Sequence, residues 1–287
     1  MKTDITGAVA VVGGGIAGVQ ASLDLANSGY KVYLIESGPT IGGKMAQLDK
    51  TFPTSDCAAC ILSPKLVEAS RHPNIELLTY SEVLAINGAA GDFTVKVRKK
   101  ARYVDETKCT GCGDCIEKCP KKVPDAFNEG LAPRKAIYLA FPQAVPRIMT
   151  IDPENCIYLR RGKCGNCAKV CKRGAIDYTQ KDKELSLKAG AVILAAGFEA
   201  FNPKGLEAYR SEHPDVVTSL QFERLLNASG PYHGHLQTSK GKEPKKIAFI
   251  QCVGSRNQKL QKKHCSSVCC MYAVKQAVIA KEHDPEI

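Results

Sequence analysis

The chain has 287 residues, of which 44% are hydrophobic and 24% are charged, a balance typical of folded globular proteins. This composition excludes a disordered chain. The longest apolar run, residues 191–198, is far shorter than the roughly 18–20 residues that a membrane-spanning helix needs. The length allows one large core or two modest ones, and we expect more than one compact unit. The formal net charge of +11 suggests an acidic partner, and nucleic acid has to be considered.

We expect no secretory signal at the amino terminus. Residues 1–15 (MKTDITGAVAVVGGG) run directly into a glycine-rich turn and leave no room for a charged segment, an apolar segment and a cleavage site. We therefore expect a cytoplasmic protein, in which reducing thiol pools keep cysteine pairs open. Metal ligation is then a better interpretation of the 14 cysteines than disulfide bonding.

The first predicted elements are a strand, a glycine turn and a helix. The apolar residues 8–12 predict the strand, Gly13, Gly15 and Gly18 form a GxGxxG pattern, and the residues that follow have helical spacing. A second apolar strand ends in Glu36. This order is typical of dinucleotide-binding domains, in which a helix N-terminus stabilises the pyrophosphate and the acid accepts a hydrogen bond from a ribose hydroxyl.

The next segment favours FAD over NAD. Gly42, Gly43 and Lys44 look like the loop that turns back under the FAD diphosphate in flavoproteins with two dinucleotide domains. Residues 187–198, which include Gly197, resemble the segment by which such flavoproteins leave the FAD domain. The two FAD segments therefore bracket an insertion.

The insertion carries two cysteine motifs. The first has the C-x2-C-x2-C-x3-C-P spacing of bacterial ferredoxins, in which three thiolates hold one [4Fe–4S] cube and the fourth serves another. The second is looser, with C-x7-C-x2-C-x3-C spacing. Their members are Cys109, Cys112, Cys115 and Cys119 in the first motif and Cys156, Cys164, Cys167 and Cys171 in the second.

The crosswise rule of two-cluster ferredoxins assigns these ligands. One cube takes the first three cysteines of the first motif together with Cys171, and the other takes the first three of the second motif together with Cys119. Two alternatives stay open: a pair of zinc ribbons, and a weakened or three-iron second cluster. Anionic clusters and FAD phosphates also offset much of the positive charge, which stands largely beside cysteines. We therefore do not expect nucleic-acid binding.

A third cysteine group follows the FAD exit segment. Residues 246–253 (KIAFIQCV) predict a buried strand, and residues 268–281 predict a helix. In a nicotinamide-binding domain, the turn between such a strand and helix carries glycines. Here the same turn carries cysteines, and these cysteines predict a third cluster. Its ligands would be Cys252, Cys265, Cys269 and Cys270. Burial of these cysteines as small hydrophobic residues is the alternative.

These elements predict an α/β chain with three parts. A Rossmann-like FAD-binding domain occupies residues 1–101 and 179–200. An inserted α+β ferredoxin-like domain with two [4Fe–4S] clusters occupies residues 102–178. Residues 201–287 form a linker and the start of a truncated second dinucleotide-like domain.

Cys57 and Cys60 stand outside these motifs and are the candidate catalytic residues. They follow Glu36 at about the distance at which the glutathione-reductase class places its redox-active cysteine pair. A dithiol here would exchange electrons with the flavin, and a helix N-terminus would favour a reactive thiolate. Two alternatives stay open: ligation of a cluster in a complete assembly, and simple packing.

The whole chain resembles the A-subunit of the heterodisulfide reductases of methanogens and their relatives in anaerobic bacteria. The resemblance includes the FAD fingerprint, the inserted ferredoxin motifs, residues 218–231 (TSLQFERLLNASGP) and the segments FIQCVGSR and CSSVCCMYAVKQA. In that family, equivalents of the third cysteine group hold a [4Fe–4S] cluster near the flavin, and the flavin can split an electron pair between two acceptors. Family members usually continue well beyond the equivalent of Ile287, so the chain looks like the front half of such a protein.

The resemblance implies an oxidoreductase subunit that passes electrons between FAD and [4Fe–4S] clusters and that could be electron-bifurcating. Its partners would be other subunits of the complex, ferredoxin, or a hydrogenase or dehydrogenase donor. The alternative is a non-catalytic iron–sulfur relay or assembly module of a split complex. An NAD(P)H-linked subunit like the small subunit of glutamate synthase would need a glycine fingerprint after Lys246, and the sequence lacks one.

Overall fold

The computed structural model describes residues 5–287, which form two compact units. Of the described residues, the first unit contains residues 5–46, 61–127 and 133–197, and the second contains residues 47–60, 128–132 and 198–287. Most of the predicted FAD domain and most of the predicted insertion thus lie in the first unit. The exact boundaries between them stay a prediction. None of the described helices combines the length and the apolar character needed to cross a membrane.

The described residues contain both strands and helices. The strands are β1 (Ala8–Val12), β2 (Lys31–Glu36), β3 (Ile75–Thr79), β4 (Ser81–Ala89), β5 (Asp92–Lys99), β6 (Lys122–Pro124), β7 (Pro133–Lys135), β8 (Ile137–Tyr138), β9 (Thr150–Ile151), β10 (Lys183–Ala189) and β11 (Ala191–Leu194). The helices are α1 (Ile16–Asn27), α2 (Ala58–Arg71), α3 (Asp114–Glu117), α4 (Ile157–Arg161), α5 (Asn166–Val170), α6 (Ser219–Leu226) and α7 (Cys269–His283).

A parallel sheet forms the centre of the first unit. Its strand order is β11–β1–β2–β3, and each pair is parallel. The strands are apolar because both faces are covered. On one face, Val11 and Leu34 lie in a core with Val19 of α1 and Leu66 of α2. The predicted Rossmann-like α/β fold is therefore confirmed.

An antiparallel sheet covers the other face of the parallel sheet. Its order is β10–β5–β4, with a register shift between Val83 and Ala85. Val95 and Val97 of β5 are fully buried and share a core with Ala10 of the parallel sheet. The chain then passes from β10 directly into β11, so the last strand of the antiparallel sheet returns it to the parallel one.

The cysteine-bearing insertion has a small core of its own. The buried side chains of Val104, Ile137 and Ile151 lie in one cluster with Cys115 and Cys167. Short helices α3 and α5 each begin after a glycine in the left-handed conformation. Cysteines thus take the place of part of the apolar core.

The second unit is built around α6 and α7. Thr218 caps α6, because its hydroxyl accepts from the Gln221 N–H while the Gln221 side chain accepts from the Thr218 N–H. Leu226 of α6 and Ile279 of α7 are fully buried in the core of this unit. The helix predicted over residues 268–281 is confirmed as α7.

The strand predicted over residues 246–253 is wrong. These residues are not assigned to a strand, and Ile250 is 62% exposed. An apolar run becomes a buried strand only when neighbouring strands accept its backbone hydrogen bonds. No strand of the described residues pairs with this segment.

Candidate cofactor and iron-sulfur sites

Two of the predicted glycines allow close contact between β1, α1 and β11. A Cβ atom at Gly13 would lie 2.2 Å from the carbonyl oxygen of Ala195, and one at Gly18 would lie 1.9 Å from that of Gly13. Both distances are shorter than any real contact of a side chain with a backbone oxygen. Only glycine therefore fits at these two positions, where helix and strands meet.

Gly15 differs because the space beside it is open. The nearest atom to a Cβ there would be the Cα of Gly43, at 3.9 Å. The loop after β2 faces this turn, since the Gly42 N–H donates to the Gly14 carbonyl at 2.7 Å. Gly43 is in the left-handed conformation, with a φ of 55°. The two glycine segments form a backbone cradle of the kind that a pyrophosphate requires.

Glu36 lies at the carboxyl end of β2, next to the cradle. One carboxylate oxygen accepts from the Gly14 N–H at 2.7 Å, and the other accepts from the Gly38 N–H at 2.6 Å. The Ser37 hydroxyl also donates to the second oxygen, at 3.2 Å. These bonds fix the carboxylate, and the oxygen bonded to Gly14 keeps a lone pair for a ribose hydroxyl. Lys44 follows in a 3-10 turn and is half-buried, whereas Gly197 is exposed beyond β11 with a φ of 76°.

The cysteines of the insertion line two separate cavities. One cavity is lined by Cys109, Cys112, Cys115 and Cys171, and the other by Cys119, Cys156, Cys164 and Cys167. Each cavity contains four cysteines, three from one motif and one from the other. This is the grouping that the crosswise rule predicts, and four thiols around one cavity suit a [4Fe–4S] cube.

The electrostatics of these cavities favour a cationic occupant. Burial raises the pKa of the Cys115 thiol to about 12, and neighbouring cysteines add to the effect. Burial also raises the pKa of Cys167. Buried thiolates are therefore unfavourable unless iron compensates their charge. In the described part of the chain, no three His, Cys, Asp or Glu side chains are close enough together to hold a single metal ion. A [4Fe–4S] cube does not need such a group, because each of its four thiolates binds a different iron.

A tyrosine completes the second cavity. The Tyr178 hydroxyl lies 2.9 Å from the Sγ atom of Cys167, and its ring stacks on Tyr158 with centroids 3.9 Å apart. Both tyrosines line the cavity. Tyr178 was not among the residues predicted from the sequence, although its position seven residues after Cys171, in residues 174–178 (GAIDY), could have indicated it.

The third cysteine group lies in the second unit. Cys269 and Cys270 begin α7, while Cys252 and Cys265 stand on the preceding loop. The loop closes on itself, because the Ser255 hydroxyl donates to the His264 carbonyl at 3.0 Å and accepts from the Ser266 N–H. Cys265 and Cys270 are exposed. Neither of the two four-cysteine cavities includes this group, so the third cluster stays a prediction.

Cys57 and Cys60 form a disulfide at the start of α2. For this pair, the general expectation of open thiols is wrong. A C-x2-C segment on the first turn of a helix brings its two sulfurs within bonding distance, and the Cα atoms here are 5.3 Å apart. Both residues are exposed.

Models of two known families together match residues 7–175. The model for pyridine nucleotide-disulphide oxidoreductases matches residues 7–111, and the model for 4Fe-4S dicluster domains matches residues 108–175. The predicted cofactors, FAD and iron–sulfur clusters, are confirmed by these matches. The chain therefore combines a domain of the pyridine nucleotide-disulphide oxidoreductase type with a 4Fe-4S dicluster domain.

Three curated relatives show which family the chain belongs to. The iron–sulfur A-subunit of the CoB–CoM heterodisulfide reductase of Methanocaldococcus jannaschii is 52% identical over 277 residues, or 96% of this chain and 41% of the relative. The A-subunit of the H2:CoB–CoM heterodisulfide,ferredoxin reductase of Methanothermobacter marburgensis is 48% identical over 287 residues, or 99% and 43%. A protein of Archaeoglobus profundus that is described as similar to the heterodisulfide reductase A-subunit is 47% identical over 325 residues, or 99% and 46%.

The chain belongs to the heterodisulfide reductase A-subunit family, as its resemblance predicts. It spans between 41% and 46% of the length of these three relatives.

Proposed function

We propose that this chain is the flavin-binding and cluster-binding part of an electron-transfer subunit in a heterodisulfide-reductase-like complex. The main support is the placement of the two four-cysteine cavities and the glycine cradle in one compact unit. Their cofactors convert between two-electron and one-electron transfer when bound. The rest of the function then depends on how this chain's residues hold those groups.

The cradle residues have separate tasks in this proposal. Gly15 and Gly43 give the diphosphate access to the backbone, while Glu36 orients the ribose. Lys44 follows the cradle and supplies positive charge for the phosphates. Gly197 allows the chain to turn beneath the flavin where it leaves β11.

The cysteines and their surroundings complete the site. Each cavity of the insertion holds one cube in the crosswise arrangement, and the third group, on α7 and the preceding loop, holds another. The partners are other subunits of the complex, together with a ferredoxin or a hydrogenase or dehydrogenase as the electron donor. Thiolate ligation requires a reducing compartment, which favours the cytoplasm.

Cofactor content tests this proposal. We expect the anaerobically purified chain to contain one FAD and about twelve iron and twelve sulfide ions, as three cubes require. Reduced ferredoxin should bleach the flavin. Cluster absorption without flavin would instead support a non-catalytic relay or assembly module, and four or fewer irons would contradict the cluster assignment.

Single cysteine variants test the crosswise ligation. Cys119→Ser should abolish the same cluster as Cys164→Ser, although the two residues belong to different motifs. Cys171→Ser should abolish the same cluster as Cys112→Ser. Electron paramagnetic resonance of the reduced variants distinguishes the two signals, and loss of one cluster by both Cys119→Ser and Cys112→Ser would overturn the assignment.

A further inference from the structure

The disulfide between Cys57 and Cys60 is accessible from solvent. Both cysteines are exposed, and Ala58 between them is fully buried and anchors the turn. Disulfides that serve only stability are usually shielded from thiols, whereas exposed ones are more easily exchanged. The position of this pair therefore suits reaction with an external sulfur compound.

The two sulfurs are not equivalent. The backbone N–H of Cys60 donates to the Sγ atom of Cys57 at 3.2 Å. Cys57 immediately precedes α2, a helix of 14 residues, so the partial positive charge of the helix N-terminus is also directed at its sulfur. Both effects stabilise negative charge on Cys57 when the disulfide opens. Cys60 itself lies inside the first turn of α2, and its own backbone N–H is the donor to Cys57.

The segment before the pair is held firmly. Four backbone groups of residues 47–50 bond to side chains of α6, its C-cap and α7. The Gln47 carbonyl accepts from Arg224, the Leu48 carbonyl accepts from Asn227, the Asp49 N–H donates to Glu223, and the Lys50 carbonyl accepts from Lys275.

These four side chains are buried, three of them at 4% exposure or less. Residues 49–58 then form a hairpin, in which Lys50 pairs with Cys57 and the Ala58 N–H donates to the Asp49 carbonyl at 3.0 Å. A fixed base thus presents the cysteine pair on a short exposed loop.

We propose that Cys57 and Cys60 form a thiol–disulfide exchange site in which Cys57 is the attacking sulfur and Cys60 the resolving one. The substrate class is an organic disulfide, or in the reverse direction a dithiol. This activity needs neither flavin nor clusters, so it stands or fails independently of the proposed electron-transfer function.

The reaction balances without a further oxidant or reductant. In the dithiol form, the Cys57 thiolate attacks one sulfur of the substrate disulfide, forms a mixed disulfide and releases the first thiol. The Cys60 thiolate then attacks the Cys57 sulfur, restores the protein disulfide and releases the second thiol. Two electrons and two protons pass from the cysteine pair to the substrate.

Trypsin makes the test specific. Cleavage after Lys50 and Lys65 releases residues 51–65 (TFPTSDCAACILSPK), which contain only the cysteines Cys57 and Cys60. The full chain with its cofactors is equilibrated anaerobically in buffers of varied glutathione and glutathione disulfide ratio. Free thiols are then blocked with one alkylating reagent and disulfide-bonded cysteines, after reduction, with an isotopically heavy one, and mass spectrometry gives the oxidised fraction.

We expect this peptide to change from dithiol to disulfide within the range of ratios tested. A peptide that stays oxidised in excess dithiothreitol, or stays reduced at every ratio, overturns the proposal. Cysteines that react only after iron is chelated overturn it as well, because they would be cluster ligands.

Two variants test the roles of the sulfurs. Cys60→Ser should accumulate a glutathione mixed disulfide on Cys57 at least about tenfold faster than Cys57→Ser accumulates one on Cys60, because the N–H donor and the helix terminus both act on Cys57. Equal rates, or faster labelling of Cys60, would overturn the assignment. The glutathione titration of the wild-type chain still tests the proposal if a variant folds poorly.

Discussion

The buried ion pair between Lys275 and Glu223 offers the most demanding test of the structure. Their side chains are 2% and 0% exposed, and the Lys275 ammonium also donates to the Lys50 carbonyl at 2.9 Å. Lys275→Met keeps the unbranched shape and most of the length of the side chain and removes the charge. The Glu223 carboxylate then keeps Gln276 and the Asp49 N–H as donors but loses its counter-charge. Removing one partner of a buried pair costs about 3–5 kcal/mol.

An exposed ion pair on the same elements provides the control. Lys50 also pairs with Glu282 of α7 at 2.6 Å, with side chains 30% and 50% exposed. Glu282→Gln should therefore cost less than about 1 kcal/mol. Lys275→Met together with Glu223→Leu should recover part of the stability that Lys275→Met loses, because no unpaired charge stays buried although the Asp49 N–H loses its acceptor.

Hydrogen exchange locates the effect. The Asp49 amide, which donates to Glu223 at 3.0 Å, should exchange at least about 100-fold faster in Lys275→Met, since each 1.4 kcal/mol is a factor of ten. Urea unfolding monitored by far-ultraviolet circular dichroism measures the free energy itself. Equal losses in Lys275→Met and Glu282→Gln, within about 1 kcal/mol, would refute the argument that burial decides the cost of the charge.

Three further predictions concern separate parts of the molecule. Gly15→Ala should fold normally but raise the FAD dissociation constant at least about tenfold, because its methyl group enters the cradle. Gly7→Ala, with no atom within 4 Å of the added Cβ, should leave FAD titrations unchanged. Tyr178→Phe removes a hydrogen bond to a cysteine sulfur and should lower the midpoint potential of that cluster alone in a spectroscopic redox titration. Burial and the nearby Glu223 raise the pKa of Asp49, so the folded state holds this proton more tightly than the unfolded chain. As the pH rises from about 4 through the folded-state pKa, unfolding titrations should show wild type losing stability relative to Asp49→Asn, and parallel curves would contradict this.

The sequence was most informative where a pattern has one structural solution. An apolar run followed by GxGxxG predicted β1 with the bounds that the structure has, Ala8–Val12, because the glycines admit contacts that no side chain allows. The ferredoxin spacing likewise predicted which cysteines would share a cavity. In both cases, local spacing determines the geometry.

Other features depend on distant partners. Residues 246–253 have the composition of a strand, but composition does not supply the neighbouring strand that its backbone needs. Glu223 and Lys275 are charged residues on helices, and charged residues are usually exposed. Their burial follows from residues 47–50, whose backbone groups they bond. No pattern around either residue shows that such a partner exists.

Arg102 illustrates how one buried residue links two predicted sites. Its guanidinium donates to the Pro39 carbonyl and to the Thr79 hydroxyl, each at 2.6 Å, and to the Thr150 hydroxyl at 2.8 Å. Pro39 belongs to the loop between Glu36 and the cradle glycines, whereas Thr150 lies in β9 of the insertion. The side chain is 1% exposed, and Glu106 balances its charge at 2.9 Å. The guanidinium is rigid and planar, so it can bond the oxygens of Pro39, Thr79 and Thr150 together only when they hold fixed positions. The cradle loop and the cysteine-bearing insertion therefore constrain each other. This shared residue stands where the insertion was predicted to begin, and it gives a physical reason for both parts to lie in one compact unit.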